Sequence, residues 1–379
     1  MKQKPIYLDY NATTPIDLEV INTMTPFLKE HFGNPSSSHC FGQKTKEAVE
    51  KARIQVADFL NCNTDEIIFT SGGTESNNYA IKGLAFTLRD KGNHIITTKI
   101  EHPSVLESCK FLQSNGFEVT YLPVNEFGLV SLVDLEKAIT PKTILITIMH
   151  ANNEIGIIQP IEQISKLAKK HNIIFHTDAV QSAGKIPTKV TNLGVNMLSI
   201  AGHKIYAPKG VGALYIQQGI KLTKLIQGAG QENNARAGTE NVLEIVGLGK
   251  ACEIAGRDLD KNAAKMNVMR DRLYNGLKKK ISDFKLNSQF KNCLPNTLSL
   301  SFKNIDANLL LGKINNRLAV SSGAACHSGK SEVSGVLKAL NVPTEWAKGT
   351  LRFSTGKMTT TDEIDVAVDI IIKNISSLK

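Results

Sequence analysis

Short apolar segments alternate with amphipathic segments along the first 260 residues of the chain. Apolar side chains recur at helical spacing in residues 44–60, and residues 161–171 follow the same period. Between such helices, short runs rich in Ile, Val and Thr and bounded by Gly, Pro or polar residues predict strands. These runs lie at residues 67–70, 94–98, 119–123, 144–149, 173–178, 197–201 and 212–216. The alternation predicts an α/β fold with a mostly parallel sheet and helices on both of its faces.

The pattern changes after about residue 260. A polar helix is predicted over 258–281, apolar-rich segments follow at 297–302 and 317–321, and a last helix is predicted from about residue 361. Thr360 and Glu363 have the spacing of a capping box at the start of that helix. We therefore predict a large domain over residues 15–260 and a small α+β domain formed by residues 1–14 and 261–379.

The composition excludes several classes of protein. The 379 residues are 41% hydrophobic and 21% charged, which is typical of a globular protein. The net charge of +10 is spread thinly and only 6% of residues are aromatic, so we do not expect nucleic-acid binding as the main activity. No run of 18 apolar residues predicts a membrane span, and the N-terminus lacks a secretory signal. The six cysteines form no CxxC pair and no histidine has metal-ligand spacing, so we expect free thiols, no metal site and a cytoplasmic location.

A strand that runs into a glycine-rich turn is the first candidate site. Residues 67–70 are followed by Gly72, Gly73 and Thr74, and a helix starts there. Free N–H groups at a helix start bind anions, and glycines let the backbone approach a phosphate closely. The pattern is neither GxGxxG nor a Walker motif, so a mononucleotide is not indicated, and an ordinary βα turn is the alternative.

Two further strands end on residues that suit a pyridine cofactor. Asp178 stands at the end of a predicted strand, where open α/β sheets bind ligands, although it could simply cap the next helix. Lys204 follows another strand, in a turn that contains Gly202. A carboxylate keeps a pyridine ring protonated, and a lysine of lowered pKa forms a Schiff base. Together with the Gly73 turn, these residues match the requirements of a pyridoxal phosphate site.

Cys326 lies in a segment of small residues, 320–329, with His327 beside it. An adjacent imidazolium favours the thiolate, which indicates a reactive cysteine, whereas a small buried cysteine is the alternative. We expect the other five cysteines to be structural thiols; they are Cys40, Cys62, Cys109, Cys252 and Cys293.

The assembled motifs resemble those of the pyridoxal-phosphate-dependent cysteine desulfurases and the related selenocysteine lyases. The resemblance covers nearly the whole chain. It is carried by the segments 7–15, 33–37, 70–78, 101–102, 151–156, 176–179, 202–204, 236–241, 323–328 and 351–354, which include Glu101-His102, Asn152-Asn153-Glu154 and Gly202-His203-Lys204.

This resemblance implies a fold-type-I pyridoxal-phosphate-dependent transferase, with a seven-stranded sheet in the large domain and the reactive cysteine in the small one. It implies a homodimer that acts on L-cysteine and passes sulfur to a protein acceptor such as an iron–sulfur scaffold. The resemblance also implies that Lys204 binds the cofactor covalently, that His102 stacks on the cofactor ring and that Asp178 pairs with the ring nitrogen. It implies that the phenolic oxygen is bound by Gln181 and Asn153, and that the phosphate is bound by Gly73, Thr74, His203 and, from the other subunit, Thr239. Finally, it implies that the substrate carboxylate is bound by Arg352 with Asn11 and Asn153, and that Cys326 accepts the sulfur.

Ala201 departs from the pattern of many cysteine desulfurases, in which a phosphate-binding Ser stands two residues before the His-Lys pair. The segments 323–328 and 230–232 are also similar to those of selenocysteine lyases, so the sequence leaves the preferred chalcogen open. Transamination, β-elimination and a non-catalytic scaffold remain as alternatives. The Cys326 segment argues against the first two, and the set of Lys204, Asp178 and His102 argues against the third.

Overall fold

The seven predicted strands form one sheet. The structure is a computed structural model. It describes the backbone of residues 4–327 and 330–378, and the side chains of residues 4–323 and 333–378. The strands are β1 Ile6–Tyr7, β2 Ile67–Thr70, β3 His94–Thr98, β4 Glu118–Leu122, β5 Thr143–Thr147, β6 Ile174–Asp178, β7 Met197–Ala201, β8 Gly212–Ile216, β9 Phe284–Leu286, β10 Thr297–Phe302, β11 Leu318–Ala319, β12 Ser321–Ser322, β13 Ala324–His327, β14 Lys330–Val333 and β15 Thr350–Ser354.

The helices surround this sheet and a smaller one. They are α1 Leu18–Lys29, α2 Cys40–Leu60, α3 Gly73–Asn78, α4 Leu84–Thr87, α5 Pro103–Gln113, α6 Leu132–Ala138, α7 Ile161–Lys170, α8 Val190–Leu193, α9 Gln231–Asn234, α10 Val242–Arg257, α11 Leu259–Lys278, α12 Ala307–Ile314, α13 Gly335–Ala339, α14 Thr344–Ala347 and α15 Thr361–Ser376. A π-helical turn, Tyr79–Gly83, joins α3 to α4. No helix within the described residues is both long enough and apolar enough to cross a membrane.

The large sheet has the order β2-β8-β7-β6-β5-β3-β4. Strand β8 runs antiparallel to both of its neighbours, whereas the pairs from β7 to β4 are parallel. Every residue of β3, β5 and β7 is buried, because helices cover both faces of a sheet of this kind. The predicted mostly parallel α/β sheet is therefore confirmed, with strand ends within two residues of the prediction.

Two element boundaries differ from the prediction for local reasons. Helix α2 begins at Cys40 because the ring of His39 accepts a hydrogen bond from the backbone N–H of Gly42 (3.3 Å) and caps the helix. Strand β5 ends at Thr147, and two residues later the N–H of Met149 donates to the side-chain carboxyl group of Glu101 rather than to a neighbouring strand. The predicted capping box of Thr360 and Glu363 is present at the start of α15.

The C-terminal part of the chain forms a second, antiparallel sheet with the order β12-β15-β10-β9. Apolar residues of α11, α12 and α15 pack against this sheet in a hydrophobic cluster that also contains Leu8 from the N-terminal segment. A different cluster joins α2 and α10 to the large sheet. The exact division into residues 15–260 and residues 1–14 with 261–379 stays a prediction.

The parallel strands bring the candidate residues to one edge of the large sheet. Strand β2 leads into the Gly73 turn, β3 leads to His102, β6 ends on Asp178, and β7 leads to Lys204. Because the carboxyl ends of parallel strands meet at the same edge, residues far apart in sequence come together there.

Candidate active site

A cavity of about 270 Å³ lies at this edge of the sheet. Ten of the residues predicted for the site line it, together with Ser104, Met149 and Ala201. The ten are Asn11, Gly73, Thr74, His102, Asn153, Asp178, Gln181, His203, Lys204 and Arg352. Thr239 does not belong to this lining, and the side chain of Cys326 lies outside the described residues.

The turn between β2 and α3 needs its two glycines. Gly72 has φ +145°, a conformation that residues with a Cβ rarely adopt. A Cβ on Gly73 would lie 2.7 Å from Cγ2 of Val180, so the backbone of this turn lies directly against the wall of the cavity. Thr74 follows at the start of α3, where backbone N–H groups are free to bind an anion. Ala201 lines the cavity nearby without a hydroxyl group.

The carboxylate of Asp178 is held by two donors. Its Oδ2 atom accepts a hydrogen bond from Nδ2 of Asn77 (2.7 Å), and its Oδ1 atom accepts one from the N–H of Val180 (2.9 Å). No salt bridge to Asp178 occurs within the part of the chain that the structure describes. A buried carboxylate favours a cationic neighbour, and a protonated ring nitrogen in the cavity would supply one.

The ammonium group of Lys204 lies in the cavity and donates to the carbonyl oxygens of Asn11 (2.5 Å) and Ala12 (2.8 Å). Burial, and then the positive charge of Arg352, lower the pKa of Lys204 to about 8, although Asp9 and Asp178 oppose the shift. A lysine of lowered pKa holds more of the neutral amine that attacks a carbonyl group.

The imidazole of His102 is fixed at the start of helix α5. Its Nδ1 atom lies 2.8 Å from Oγ of Ser104 and accepts the backbone N–H of Ser104 at 3.1 Å. The side chain of His102 is exposed to the cavity. Desolvation by the surrounding protein nevertheless lowers the pKa of His102. Asp178 raises this pKa, and Lys204 lowers it further. Burial and Lys204 also lower the pKa of His203, to about 4, so both rings are neutral near pH 7.

The guanidinium group of Arg352 projects from β15 of the second sheet. One terminal nitrogen donates to the carbonyl of Asn153 (3.0 Å), and the other donates to Oδ1 of Asp9 (2.8 Å) and to Oγ of Ser321 (3.0 Å). Asn11 reaches the same place from the N-terminal segment, where its Nδ2 donates to the carbonyl of Asn153 (3.2 Å). These contacts orient an arginine fork suited to a carboxylate.

Several buried polar atoms on residues that line the cavity have no hydrogen-bond partner in the described part of the chain. They are Oδ1 of Asn77, Oε1 of Gln181 and Nε of Arg352. Buried polar groups are almost always paired, so the unpaired atoms indicate a polar ligand. The lysine, the carboxylate and the glycine turn together suit pyridoxal phosphate.

Two predicted site residues, Thr239 and Cys326, are not among the described residues that line the cavity. Thr239 is exposed, and its segment is tied to the Gly73 turn by a salt bridge between Arg236 and Glu75 (2.9 Å). The backbone of Cys326 lies in the β13–β14 hairpin opposite Ser331. That hairpin begins three residues after Ser321, whose Oγ contacts Arg352 of the cavity lining, so the segment that carries Cys326 starts beside the cavity.

Three further residues, Asn77, Ser104 and Asp9, belong to the site although no motif predicts them as site residues. Asn77 lies within the motif segment 70–78, and Asp9 lies within the motif segment 7–15. Their roles depend on contacts with residues about 100 and about 340 positions away, which spacing along the chain does not reveal.

Comparisons with known proteins agree with this fold. Residues 6–366 match the aminotransferase class-V family. A protein named cysteine desulfurase IscS from Dictyoglomus turgidum is 52% identical over 378 residues, which cover 100% of this chain and 96% of the relative. A solved structure of a NifS-like protein has a TM-score of 0.94 and 40% identity, and the match covers 99% of this chain and all of the other. The structure of SspA in complex with cysteine has a TM-score of 0.83 and 39% identity, over 94% of this chain and all of the other.

The fold and the match over residues 6–366 first define the class, which is that of the fold-type-I, class-V aminotransferases. The similarity to named desulfurases extends over the full chain. The chain therefore belongs to the cysteine desulfurases of the aminotransferase class-V family.

Proposed function

We propose that this protein is a pyridoxal-phosphate-dependent cysteine desulfurase, which converts L-cysteine to L-alanine and transfers the sulfur to Cys326 as a persulfide. One observation carries the proposal: Lys204, Asp178 and Arg352 line a single cavity, in a chain 52% identical to a protein named as a cysteine desulfurase. The names of the relatives favour this reaction over selenocysteine lyase activity.

The cofactor would be held by the residues that line the cavity. Lys204 would bind it covalently, Asp178 would pair with the ring nitrogen, and His102 would cover one face of the ring. The remaining polar contacts would come from Gln181 and Asn153 to the phenolic oxygen, and from Gly73, Thr74 and His203 to the phosphate. Oε1 of Gln181, which has no partner among the described residues, would accept a hydrogen bond from the phenolic hydroxyl group. When bound, pyridoxal phosphate supplies an electron sink for bonds at the substrate Cα and Cβ atoms.

The residues of the chain perform the remaining chemistry. Arg352 and Asn11 orient the substrate carboxylate, and Lys204 takes the Cα proton, a task suited to a pKa of about 8. The thiolate of Cys326 attacks the substrate sulfur, so an S–S bond forms while the C–S bond breaks. The proton of the substrate thiol ends on Cβ of the product alanine, and the neutral ring of His102 lies in the cavity lining, where it can hydrogen-bond the substrate sulfur. L-cysteine and one thiol therefore yield L-alanine and one persulfide, without an external oxidant.

A homodimer would complete the site, because Thr239 is exposed outside the cavity lining. Thr239 of the partner subunit would then reach the phosphate. The persulfide would pass to a protein acceptor, for which an iron–sulfur scaffold is our first choice. A cytoplasmic location is supported by the five cysteines with described side chains, all of which are free thiols.

The experiment that tests the function measures alanine release from L-cysteine and from L-selenocysteine, side by side, with excess reductant. We expect turnover of cysteine that equals or exceeds turnover of selenocysteine, and complete loss of both in Lys204→Ala. Turnover of selenocysteine with cysteine acting only as an inhibitor would contradict the proposal and would direct attention to Ala201. Retained turnover in Lys204→Ala would contradict the assignment of Lys204.

A further inference from the structure

Asn77 joins two residues of the site that the mechanism treats separately. Its side chain is 1% exposed, and Nδ2 donates to Oδ2 of Asp178 (2.7 Å) and to Oγ of Ser104 (2.8 Å). An ionised carboxylate only accepts hydrogen bonds, so the atom that faces Asp178 must be the amide nitrogen. The orientation of the amide is therefore fixed, and both of its hydrogens are used.

This orientation leaves the hydrogen of the Ser104 hydroxyl free to point elsewhere. Since Oγ of Ser104 accepts a hydrogen bond from Asn77, its own hydrogen can point to Nδ1 of His102, 2.8 Å away. The backbone N–H of Ser104 donates to the same Nδ1 atom at 3.1 Å. A ring nitrogen that accepts from two donors carries no hydrogen, so the neutral ring of His102 bears its proton on Nε2.

We propose that Asn77 is a positioning residue, which orients Asp178 directly and keeps the proton of His102 on Nε2 through Ser104. The inference rests on the proposed function, since it assigns His102 and Asp178 to the two sides of one cofactor site. It adds that the two residues are set together by one buried amide. His102 then presents an N–H group to the cavity, where it can donate a hydrogen bond to a sulfur that carries negative charge.

Charged groups from the neighbouring elements also act on His102. Asp178 at the end of β6 favours the imidazolium, whereas Lys204 after β7 disfavours it. The two donors at Nδ1 disfavour it as well, because the backbone N–H must be displaced and the hydroxyl must turn its hydrogen away when Nδ1 gains a proton. Loss of one donor should therefore raise the titration midpoint of His102 by on the order of 0.5–1 pH unit.

The test is nitrogen NMR of the full-length, cofactor-loaded protein labelled with ¹⁵N-histidine, with His102 assigned from His102→Gln. In the wild type we expect an unprotonated Nδ1 and a protonated Nε2 at pH 7. Asn77→Ala and Ser104→Ala should each raise the midpoint of His102 and mix its tautomers. Ser104→Thr, which keeps the hydroxyl, should restore the wild-type signals.

Asn78→Ala is the matched control, because within the described residues its amide donates to the carbonyl of Thr74 (2.9 Å) in the same helix, α3. It should leave the signals of His102 unchanged. Alanine assays should show kcat reduced at least tenfold in Asn77→Ala, with KM for L-cysteine within twofold of the wild type. A proton on Nδ1 in the wild type, or an unshifted His102 in both Asn77→Ala and Ser104→Ala, would overturn the proposal.

The NMR readout does not depend on which substrate the protein uses. If the wild type released no alanine from L-cysteine while His102 behaved as expected, the function would fail and the role of Asn77 would stand. If alanine release were normal while the His102 signals did not shift in Asn77→Ala and Ser104→Ala, the function would stand and the role of Asn77 would fail.

Discussion

The titration of Lys204 follows from its surroundings and can be moved in both directions. Its pKa is lowered from 10.5 to about 8 by burial and by Arg352, and Asp9 opposes the shift. Arg352→Met should raise the pKa of Lys204, because it removes a neighbouring positive charge. Asp9→Asn should lower this pKa further, because it removes a negative charge.

The size of the effect is large at neutral pH. With a pKa of about 8, about one quarter of Lys204 is neutral at pH 7.5, against about one in a thousand for an ordinary lysine of pKa 10.5. The reactive amine is therefore roughly two hundred times more abundant than in an unperturbed lysine.

The assay is competitive acetylation of the cofactor-free protein over a pH series, with the Lys204 peptide quantified by mass spectrometry. The same peptide in urea provides the unperturbed reference. Asp17→Asn is the matched control, because Asp17 forms a similarly buried ion pair with Lys357 and does not contribute to the shift of Lys204. A wild-type midpoint near 10.5, or shifts of the same sign in Arg352→Met and Asp9→Asn, would refute this reasoning.

Three stability predictions follow from buried charges, each measured by urea unfolding. Burial and Lys204 lower the pKa of Lys185 from 10.5 to about 7. The buried charge of Lys185 therefore lowers the free energy of unfolding most below pH 7, and this destabilisation disappears as the pH rises to 10.5. Lys185→Met should therefore raise the urea midpoint at pH 7 and flatten its rise with pH; an unchanged slope would contradict this. Burial raises the pKa of Glu101 from 4.5 to about 8. The contribution of Glu101 to the free energy of unfolding is therefore fully present below pH 4.5 and is lost as the pH rises to 8. Glu101→Gln should remove this pH-dependent loss of stability. A wild-type urea midpoint that stays constant between pH 4.5 and pH 8 would contradict the prediction. Arg53→Met should cost about 3–5 kcal/mol, because it leaves the buried carboxylate of Glu232 without its partner at 2.8 Å. Arg272→Met breaks an exposed ion pair and should cost less than about 1 kcal/mol; equal losses would contradict the argument from burial.

The sequence predicts the large sheet well because its strands are short, apolar and buried on both faces. Asp178 and Lys204 could be predicted as neighbours, since each follows a strand that ends at the same edge of the sheet. The pairing of β1 with β11 could not be predicted, because two-residue strands carry no periodic pattern.

The polar contacts behind the site depend on tertiary structure. Asn77 lies on α3 and meets Asp178 across 101 positions of sequence, and Asp9 meets Arg352 across 343 positions. An asparagine in a helix or an aspartate in an N-terminal segment has many ordinary roles, so its residue type alone does not indicate such a contact. The motif segments could be found from sequence, whereas the partners of each side chain could not.

In the proposed reaction, Cys326 receives the sulfur of L-cysteine. This step is measured by mass spectrometry of the protein after reaction with one equivalent of L-cysteine in the absence of reductant. We expect one additional sulfur atom on the peptide that contains Cys326 and an equal molar amount of L-alanine. Alanine release without added sulfur on that peptide, or added sulfur on one of the other five cysteines instead, would contradict it.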